Sequence, residues 1–93
     1  MTGQYLYDRQ GSRRPQQWPS RFFEAKNSNG IIDVGYNKST SELDIRFRGL
    51  EVRRYVDVPE TVFLELRKAW STARYFHDNI RLKYTSNKIN FSF

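Results

Sequence analysis

The sequence contains no cysteine, one methionine and one histidine among its 93 residues. It can therefore form neither a disulfide framework nor a cysteine-based nucleophile or metal site. Its longest apolar runs, such as Val62-Phe63-Leu64, are three residues long, whereas a membrane-spanning helix needs about 20. The first residues show no signal-peptide pattern. From these absences we expect one small soluble domain in the cytoplasm, without membrane association.

Candidate catalytic residues are almost absent. His77 is the only histidine, and its neighbour Asp78 would lie about 100° away on a helix, so their adjacency does not by itself make a dyad. The sequence has no Gly-rich phosphate loop, nucleophile elbow or metal-ligand spacing. It predicts a binding protein that is not an enzyme and needs neither cofactor nor metal.

The chain is basic, with 16 Lys and Arg residues against 10 Asp and Glu residues. Residues 1–30 carry five basic and two acidic residues, so this part is the more densely basic. Aromatic residues make up 16% of the chain, and arginines beside aromatics suit the bridging of phosphates and stacking on bases. The alternative is that the charge only solubilises the surface.

The composition divides the chain into a basic N-terminal extension, residues 1–27, and a compact domain, residues 28–93. Residues 8–20 are rich in Pro, Gln and Ser without hydrophobic periodicity, which predicts a loop or an unfixed arm. The flanking segments Tyr5-Leu6-Tyr7 and Arg21-Phe22-Phe23 are either edge strands or docked extended segments. The turn Asn27-Ser28-Asn29-Gly30 predicts where the compact domain begins.

The compact domain predicts an α+β fold. Alternating residues indicate a three-stranded antiparallel sheet at about 31–36, 42–48 and 51–56, with Ile32, Val34 and Tyr36 sharing one face of the first strand. Helical spacing follows at about 59–70, with Trp70 as a core anchor, and a second short helix at about 72–80 begins at Ser71. Residues 89–93 alternate cleanly and form either a last strand or a tail that needs cover.

The connection between the second and third strands decides which arginines share a face. A two-residue hairpin places Arg53 beside Arg46 and Arg48, whereas a three-residue loop places Arg54 there. Both registers predict three arginines on one exposed face of the sheet. The alternative is that these arginines are ordinary partners of Asp44 and Glu51.

The order of residues from Ser28 to Lys88 resembles the KTSC domain, a family named after the C-terminus of some lysyl-tRNA synthetases. The residues that carry the resemblance are Ile32 to Asn37, Leu43 to Phe47, Gly49, Arg54 to Pro59, Val62, Leu66, Ala69 to Ser71, Tyr75, Phe76, Ile80 and Tyr84. The family's central Tyr-x-Tyr is Arg53-Arg54-Tyr55 here, and its Ala-x-Ser-x-Gly has Ala73 in place of glycine. The resemblance implies a small α+β domain with three antiparallel strands followed by helices, and RNA binding as the suspected function.

We therefore expect a non-enzymatic protein that binds RNA or a ribonucleoprotein complex. Its size and basic extension also resemble small phage-encoded inhibitors, including anti-CRISPR proteins. The predicted contact residues are Arg9, Arg13, Arg14, Trp18, Arg46, Arg48, Arg53, Arg54 and Tyr55. The alternative is a protein-interaction module or stoichiometric inhibitor that binds an acidic protein surface.

Overall fold

The structure, a computed structural model, describes residues 21–49 and 51–89 in full, and the backbone of residues 5–7 and 13–15. The elements are β1 (Tyr5–Tyr7), β2 (Arg13–Pro15), β3 (Arg21–Glu24), β4 (Ile31–Asn37), β5 (Glu42–Phe47), β6 (Val52–Tyr55), α1 (Glu60–Lys68), α2 (Thr72–Asn79) and β7 (Ser86–Ile89). Strands β3 to β7 form one antiparallel sheet in sequence order, and β1 pairs with β2 in a separate two-stranded sheet.

The predicted α+β class is confirmed, but the main sheet has five strands rather than three. The predicted strands correspond to β4, β5 and β6, and the additions are the edge strands β3 and β7. The edge-strand alternative is thus correct for Arg21–Phe23. Strand β7 begins at Ser86, before the predicted Ile89, and residues 90–93 lie outside the described residues.

The predicted loop at residues 8–20 is interrupted by strand β2. Its backbone pairs in antiparallel register with β1, with Tyr5 opposite Pro15 and Tyr7 opposite Arg13. A three-residue strand is too short to show a period-2 pattern, so the composition of this segment indicated only a loop.

Both helices cover one face of the main sheet. Tyr36 on β4 stacks on Phe63 of α1 with ring centroids 5.0 Å apart, and its hydroxyl donates to the Val58 carbonyl at 2.6 Å. Tyr55 on β6 meets Phe76 of α2 edge to face at 5.5 Å. The buried core cluster comprises Ile31, Val34, Tyr36, Leu43, Ile45, Tyr55, Val58, Phe63, Leu66, Phe76 and Ile80.

A β-bulge at the start of β4 changes which isoleucine enters the core. The register with β5 shifts between Ile31 and Asp33, so Ile31 lies opposite Phe47 and is buried, whereas Ile32 is only half-buried. The predicted face of Ile32, Val34 and Tyr36 is therefore wrong in its first member. A bulge inserts one residue and reverses the alternation beyond it.

The first helix ends earlier than predicted. Ala69 adopts extended geometry, with φ −62° and ψ 145°, so α1 stops at Lys68. Ser71 then caps α2 by accepting a hydrogen bond from the Arg74 backbone N–H at 3.2 Å, as its position predicted. No helix in the described ranges is long and apolar enough to cross a membrane.

The connection between β5 and β6 is the three-residue alternative. The Phe47 N–H donates to the Glu51 carbonyl at 2.8 Å and closes a loop over residues 48–50, with Gly49 at φ +88°. Arg54 consequently lies opposite Asp44, and Arg53 lies opposite Ile45. Arg54 and Arg46 therefore share the face away from the helices, whereas Arg53 faces the helices.

Candidate nucleic-acid interface

Arg46 is not a surface residue. Its guanidinium makes a two-point hydrogen bond to Asp33 on β4, with Nε to Oδ1 at 2.9 Å and Nη2 to Oδ2 at 2.8 Å. The Arg46 and Asp33 side chains are 2% and 0% exposed. A buried, fork-shaped pair of this kind holds the two strands in register and leaves the arginine unavailable for a ligand.

Arg54 is engaged in the same way on the next strand pair. Its Nε and Nη2 donate to the two carboxylate oxygens of Asp44 at 2.9 and 3.0 Å. Glu42 Oε1 lies 3.8 Å from the same Nε. The hydrogen bond to Asp44 raises the pKa of Arg54 above its usual value, against the effect of partial burial. One third of the Arg54 side chain remains exposed.

The other predicted sheet residues are dispersed. Arg48 is exposed and donates through Nε to the Asn29 carbonyl. Arg53 donates to Ser86 Oγ at 3.2 and 3.3 Å and to Glu51 Oε2 at 3.4 Å. Tyr55 is 3% exposed and belongs to the core.

The prediction of three exposed arginines on one sheet face is therefore wrong. The alternation was read correctly, but Asp33 and Asp44 occupy neighbouring strands on the same face and take the guanidinium groups as partners. The alternative prediction, that these arginines are partners of Asp44 and Glu51, is correct for Arg54, which binds Asp44, and for Arg53, which contacts Glu51. The side chains of Arg9, Arg13, Arg14 and Trp18 lie outside the described residues.

The basic surface that the structure does present is on the helical side, in residues 67–83, which we call the basic helical end. This segment spans the end of α1, all of α2 and the following turn, and it holds five basic residues against the single acidic Asp78. All five basic side chains are exposed: Arg67, Lys68, Arg74, Arg81 and Lys83. Within the described ranges, only Arg74 of these five has an ion-pair partner, Asp78 at 3.3 Å.

Trp70 lies near the start of the basic helical end and is 78% exposed. Its predicted core position is wrong because α1 has already ended, so the helical spacing that pointed Trp70 inward no longer applies. The Asn27 amide donates to the Trp70 carbonyl at 2.6 Å and holds the backbone of this residue. A fixed backbone with an exposed indole is suited to stacking.

A shallow pocket of about 250 Å³ adjoins Trp70, and Arg74, Tyr75, Asp78 and Asn79 contribute to its lining. Burial raises the pKa of the Tyr75 hydroxyl, so it is a neutral hydrogen-bonding group near neutral pH. Hydrogen bonds from His77 and then Arg74 lower the pKa of Asp78 and keep its carboxylate charged. The pocket thus combines aromatic faces, a cation, an acceptor and an amide, which are the groups that contact unpaired bases.

His77 and Asp78 are closer than their helical positions suggested. His77 Nδ1 lies 3.4 Å from Asp78 Oδ1, and the two side chains are 66% and 51% exposed. Among the described residues, no group of three or more His, Asp or Glu side chains is arranged to hold a metal ion.

Comparison with known proteins decides the family. The model of the KTSC domain matches residues 27–84, which is more than half of the chain. The chain belongs to the KTSC domain family. Its fold is similar to the crystal structure of a KTSC domain protein from Yersinia pestis, with 28% sequence identity and a TM-score of 0.66. The similarity covers 75% of this chain and 100% of that one. No curated protein sequence matches this chain significantly.

The KTSC match runs from the turn before β4 to the turn after α2, so it includes all of the basic helical end. It also includes the three central strands and the two arginine–carboxylate pairs between them, of which Arg46–Asp33 is buried and Arg54–Asp44 is partly buried. The edge strands β3 and β7 lie outside the match.

Sequence reasoning missed the basic helical end, although one indication of it was present. A charge count over residues 67–83 gives five basic residues against one acidic residue, a stronger local excess than in residues 1–30. The exposure of Trp70 had no comparable indication, because its spacing from Phe63 and Leu66 fits a helix that continues to residue 70.

Proposed function

We propose that this KTSC domain is a non-enzymatic RNA-binding module that contacts single-stranded RNA, free or in a ribonucleoprotein complex, through its basic helical end. The observation that carries the proposal is the exposed Trp70 among basic side chains that lack acidic partners in the described residues. Unpaired cations attract phosphates, and an exposed indole offers a stacking surface to any base.

Unpaired RNA fits this surface better than a duplex does. Sequence-specific RNA recognition uses splayed bases that stack on aromatic side chains, and the pocket beside Trp70 presents Tyr75, Asp78 and Asn79 to such a base. The deep, narrow major groove of double-stranded RNA admits no side chains of this kind.

The arginines of the N-terminal extension belong to the same proposal. Arg9, Arg13 and Arg14 remain predicted phosphate contacts, and Trp18 remains a predicted stacking residue. Arg13 and Arg14 lie on strand β2. Substituting both by alanine is expected to weaken RNA binding and to reduce its salt dependence, as measured by a salt titration of binding to single-stranded RNA.

The test is a salt titration of binding to a fluorescein-labelled single-stranded RNA of 12 nucleotides, followed by anisotropy. The double variant Arg67→Ala, Lys68→Ala is expected to reduce the log–log salt slope by about 1.4, because each phosphate contact on a single strand contributes about 0.7. Lys38→Ala is the matched control, because this exposed lysine lies beside Glu60, in the turn between β4 and β5. The proposal would be contradicted if Lys38→Ala reduced the salt slope as much per charge removed as the double variant does. It would also be contradicted if the protein bound the RNA no more tightly than heparin.

The alternative, a stoichiometric inhibitor or interaction module for an acidic protein, is favoured by one observation. Leu82 is 84% exposed between Arg81 and Lys83, and an apolar residue flanked by cations is typical of a protein contact surface. An affinity pull-down with and without nuclease separates the two functions. Partners that remain bound after nuclease treatment support the protein-binding alternative. One form of that alternative is a phage protein that inhibits a host nucleic-acid machine.

A further inference from the structure

A second pocket, of about 300 Å³, lies where the edge of the sheet meets the C-terminal end of α2. We call it the Arg53 pocket, and its lining includes Phe47, Arg53, Tyr55, Phe76, Arg81 and Leu82. Its volume is at the lower limit for small-molecule sites, which suits one nucleotide or a smaller ligand.

Arg53 is positioned but only partly used. Its side chain is 37% exposed, and Ser86 Oγ accepts from its Nε and Nη2 while Glu51 accepts from its Nη1. These contacts are 3.2 to 3.4 Å long and engage three of the five N–H donors of a guanidinium. Within the described part of the chain, two N–H donors of Arg53 are therefore left for a ligand in the pocket.

Arg81 supplies a second guanidinium on a firm support. Its backbone N–H donates to the Phe76 carbonyl at 3.0 Å, and the Lys83 N–H donates to the Ile80 carbonyl at 3.0 Å, which closes the turn after α2. The Arg81 side chain is exposed and has no ion pair within the described part of the chain. A charged group with a fixed backbone and no partner is suited to bind an anion.

The charges near the pocket favour a ligand with more than one negative charge. Lys88 lies opposite Arg53 in the register of β6 and β7, and cross-strand partners share a face. Arg53 and Arg81 line the pocket, Lys88 is on the same face of the sheet as Arg53, and Glu51 is the carboxylate that contacts Arg53 among the described residues. Together these four groups carry an excess of two positive charges. A terminal phosphate carries about −1.5 to −2 at pH 7, whereas an internal phosphodiester carries only one negative charge.

Apolar groups complete the site. Phe47 and Tyr55 both pack edge to face on Phe76, with centroids 5.8 and 5.5 Å away. Leu82 is 84% exposed at the rim. The pocket therefore has both cationic and apolar lining residues. Such a lining suits a nucleotide, because the phosphate pairs with the cations while the base or sugar is buried against the apolar side chains.

We propose that the Arg53 pocket binds the 5′-terminal nucleotide of an RNA, with the terminal phosphate on Arg53 and Arg81 and its base against Phe47 and Leu82. This deepens the proposed function and rests on it for the RNA, but the pocket is testable with a mononucleotide alone. Ser86 is a positioning residue here, because it acts by holding the Arg53 guanidinium.

The test compares a six-nucleotide RNA carrying a 5′-phosphate with the same RNA carrying a 5′-hydroxyl, both labelled at the 3′ end. The 5′-phosphate is expected to increase the affinity of the wild-type protein about tenfold, because hydrogen bonds to charged groups are worth this much. Arg53→Gln and Arg81→Ala should each remove most of this increase, so that the ratio of the two affinities falls towards one. Arg81→Ala should also weaken binding of the 5′-hydroxyl RNA, because Arg81 belongs to the basic helical end. Lys38→Ala should retain the whole increase.

A second experiment measures binding of adenosine 5′-monophosphate, adenosine and inorganic phosphate to the protein without RNA, and their competition with the 5′-phosphate RNA. We expect the monophosphate to bind and to lose binding in Arg81→Ala, an exposed position whose substitution leaves the core intact. Equal wild-type affinity for the two RNAs, or competition by inorganic phosphate as strong as by the monophosphate, would overturn the proposal. Monophosphate binding without any RNA binding would refute the proposed function and support the pocket.

Discussion

The arginines of the sheet and the cations of the helical end have the same chemistry and opposite environments. Arg46 and Arg54 each make a two-point contact with a carboxylate on a neighbouring strand. Arg67, Lys68, Arg81 and Lys83 are exposed, and within residues 21–49 and 51–89 none has an acidic partner. Net charge therefore does not locate a polyanion-binding surface; the position of the acids does.

Sheet pairing explains the difference. Strands β4, β5 and β6 bring Asp33 opposite Arg46 and Asp44 opposite Arg54, although these residues are 13 and 10 positions apart in the sequence. In the basic helical end the one acid, Asp78, pairs with Arg74 one helical turn away. Among residues 21–49 and 51–89, no acid pairs with the remaining cations of this segment.

The largest effect that we predict is on stability, at the buried pair. Asp33→Asn leaves the Arg46 guanidinium buried beside a neutral group and should lower the free energy of unfolding by about 3–5 kcal/mol. Urea denaturation measures this loss as a shift of the transition midpoint.

The double variant Asp33→Leu, Arg46→Met separates loss of the charge pair from loss of packing. It should recover most of the stability lost by Asp33→Asn, because it removes both charges and fills the volume with apolar atoms. If Asp33→Asn lowers the free energy of unfolding by less than about 1 kcal/mol, the Asp33–Arg46 pair contributes no more to stability than an exposed ion pair does.

The next largest effect is on binding, at Trp70. Trp70→Ala should weaken binding to single-stranded RNA by about 1–3 kcal/mol, the usual contribution of one base stacked on an aromatic ring. Because the side chain is 78% exposed, the urea midpoint should hardly move. An unchanged affinity, or a large loss of stability, would show that Trp70 serves the fold.

A smaller effect tests how the helical end is held in place. Ser71→Ala removes the side-chain cap of α2 and should cost about 1 kcal/mol of stability. Ser71→Asp keeps a capping oxygen but cannot donate to the Asn27 carbonyl as the Ser71 hydroxyl does at 3.0 Å, so it should retain part of this stability. Thermal unfolding of the three proteins compares them. Equal unfolding temperatures for all three would show that the cap does not stabilise α2.

The smallest effect concerns a half-buried pair between the edge strand β3 and helix α1. The hydrogen bond from Arg21, 2.5 Å long, lowers the pKa of Glu60 below its ordinary 4.5, and Lys38 adds to the effect. A lowered folded-state pKa stabilises the fold above pH 4.5, and this contribution is lost as the pH falls through the folded-state value. The difference in urea midpoint between wild type and Glu60→Gln should therefore be full at pH 7 and shrink as the pH falls below 4.5, and a difference that is constant with pH would contradict the assignment.

The sequence was sufficient for the centre of the fold. Leu43, Ile45 and Phe47 alternate with polar residues, and Phe63 and Leu66 repeat at helical spacing, so β5 and α1 were predictable from periodicity. The edge strand β7, Ser86-Asn87-Lys88-Ile89, has one apolar residue and no pattern to detect. Its strand character comes from pairing with β6.

The candidate site was less predictable, for two physical reasons. The partners of Arg46 and Arg54 depend on strand register, which alternation does not determine. The exposure of Trp70 depends on a change of backbone angle at Ala69, and alanine is a good helix former that gives no warning of it. Arg53, by contrast, was placed correctly by the three-residue loop alternative.

The outer strands of the sheet have a consequence for aggregation. Strands β3 and β7 come from outside the KTSC match, and each is hydrogen-bonded along one side of the three central strands. A chain trimmed to residues 27–84 would leave the N–H and C=O groups of β4 and β6 open to strands of other molecules. The short flanking segments thus protect the domain against self-association, and β7 does so with a polar, lysine-containing sequence that discourages a further strand.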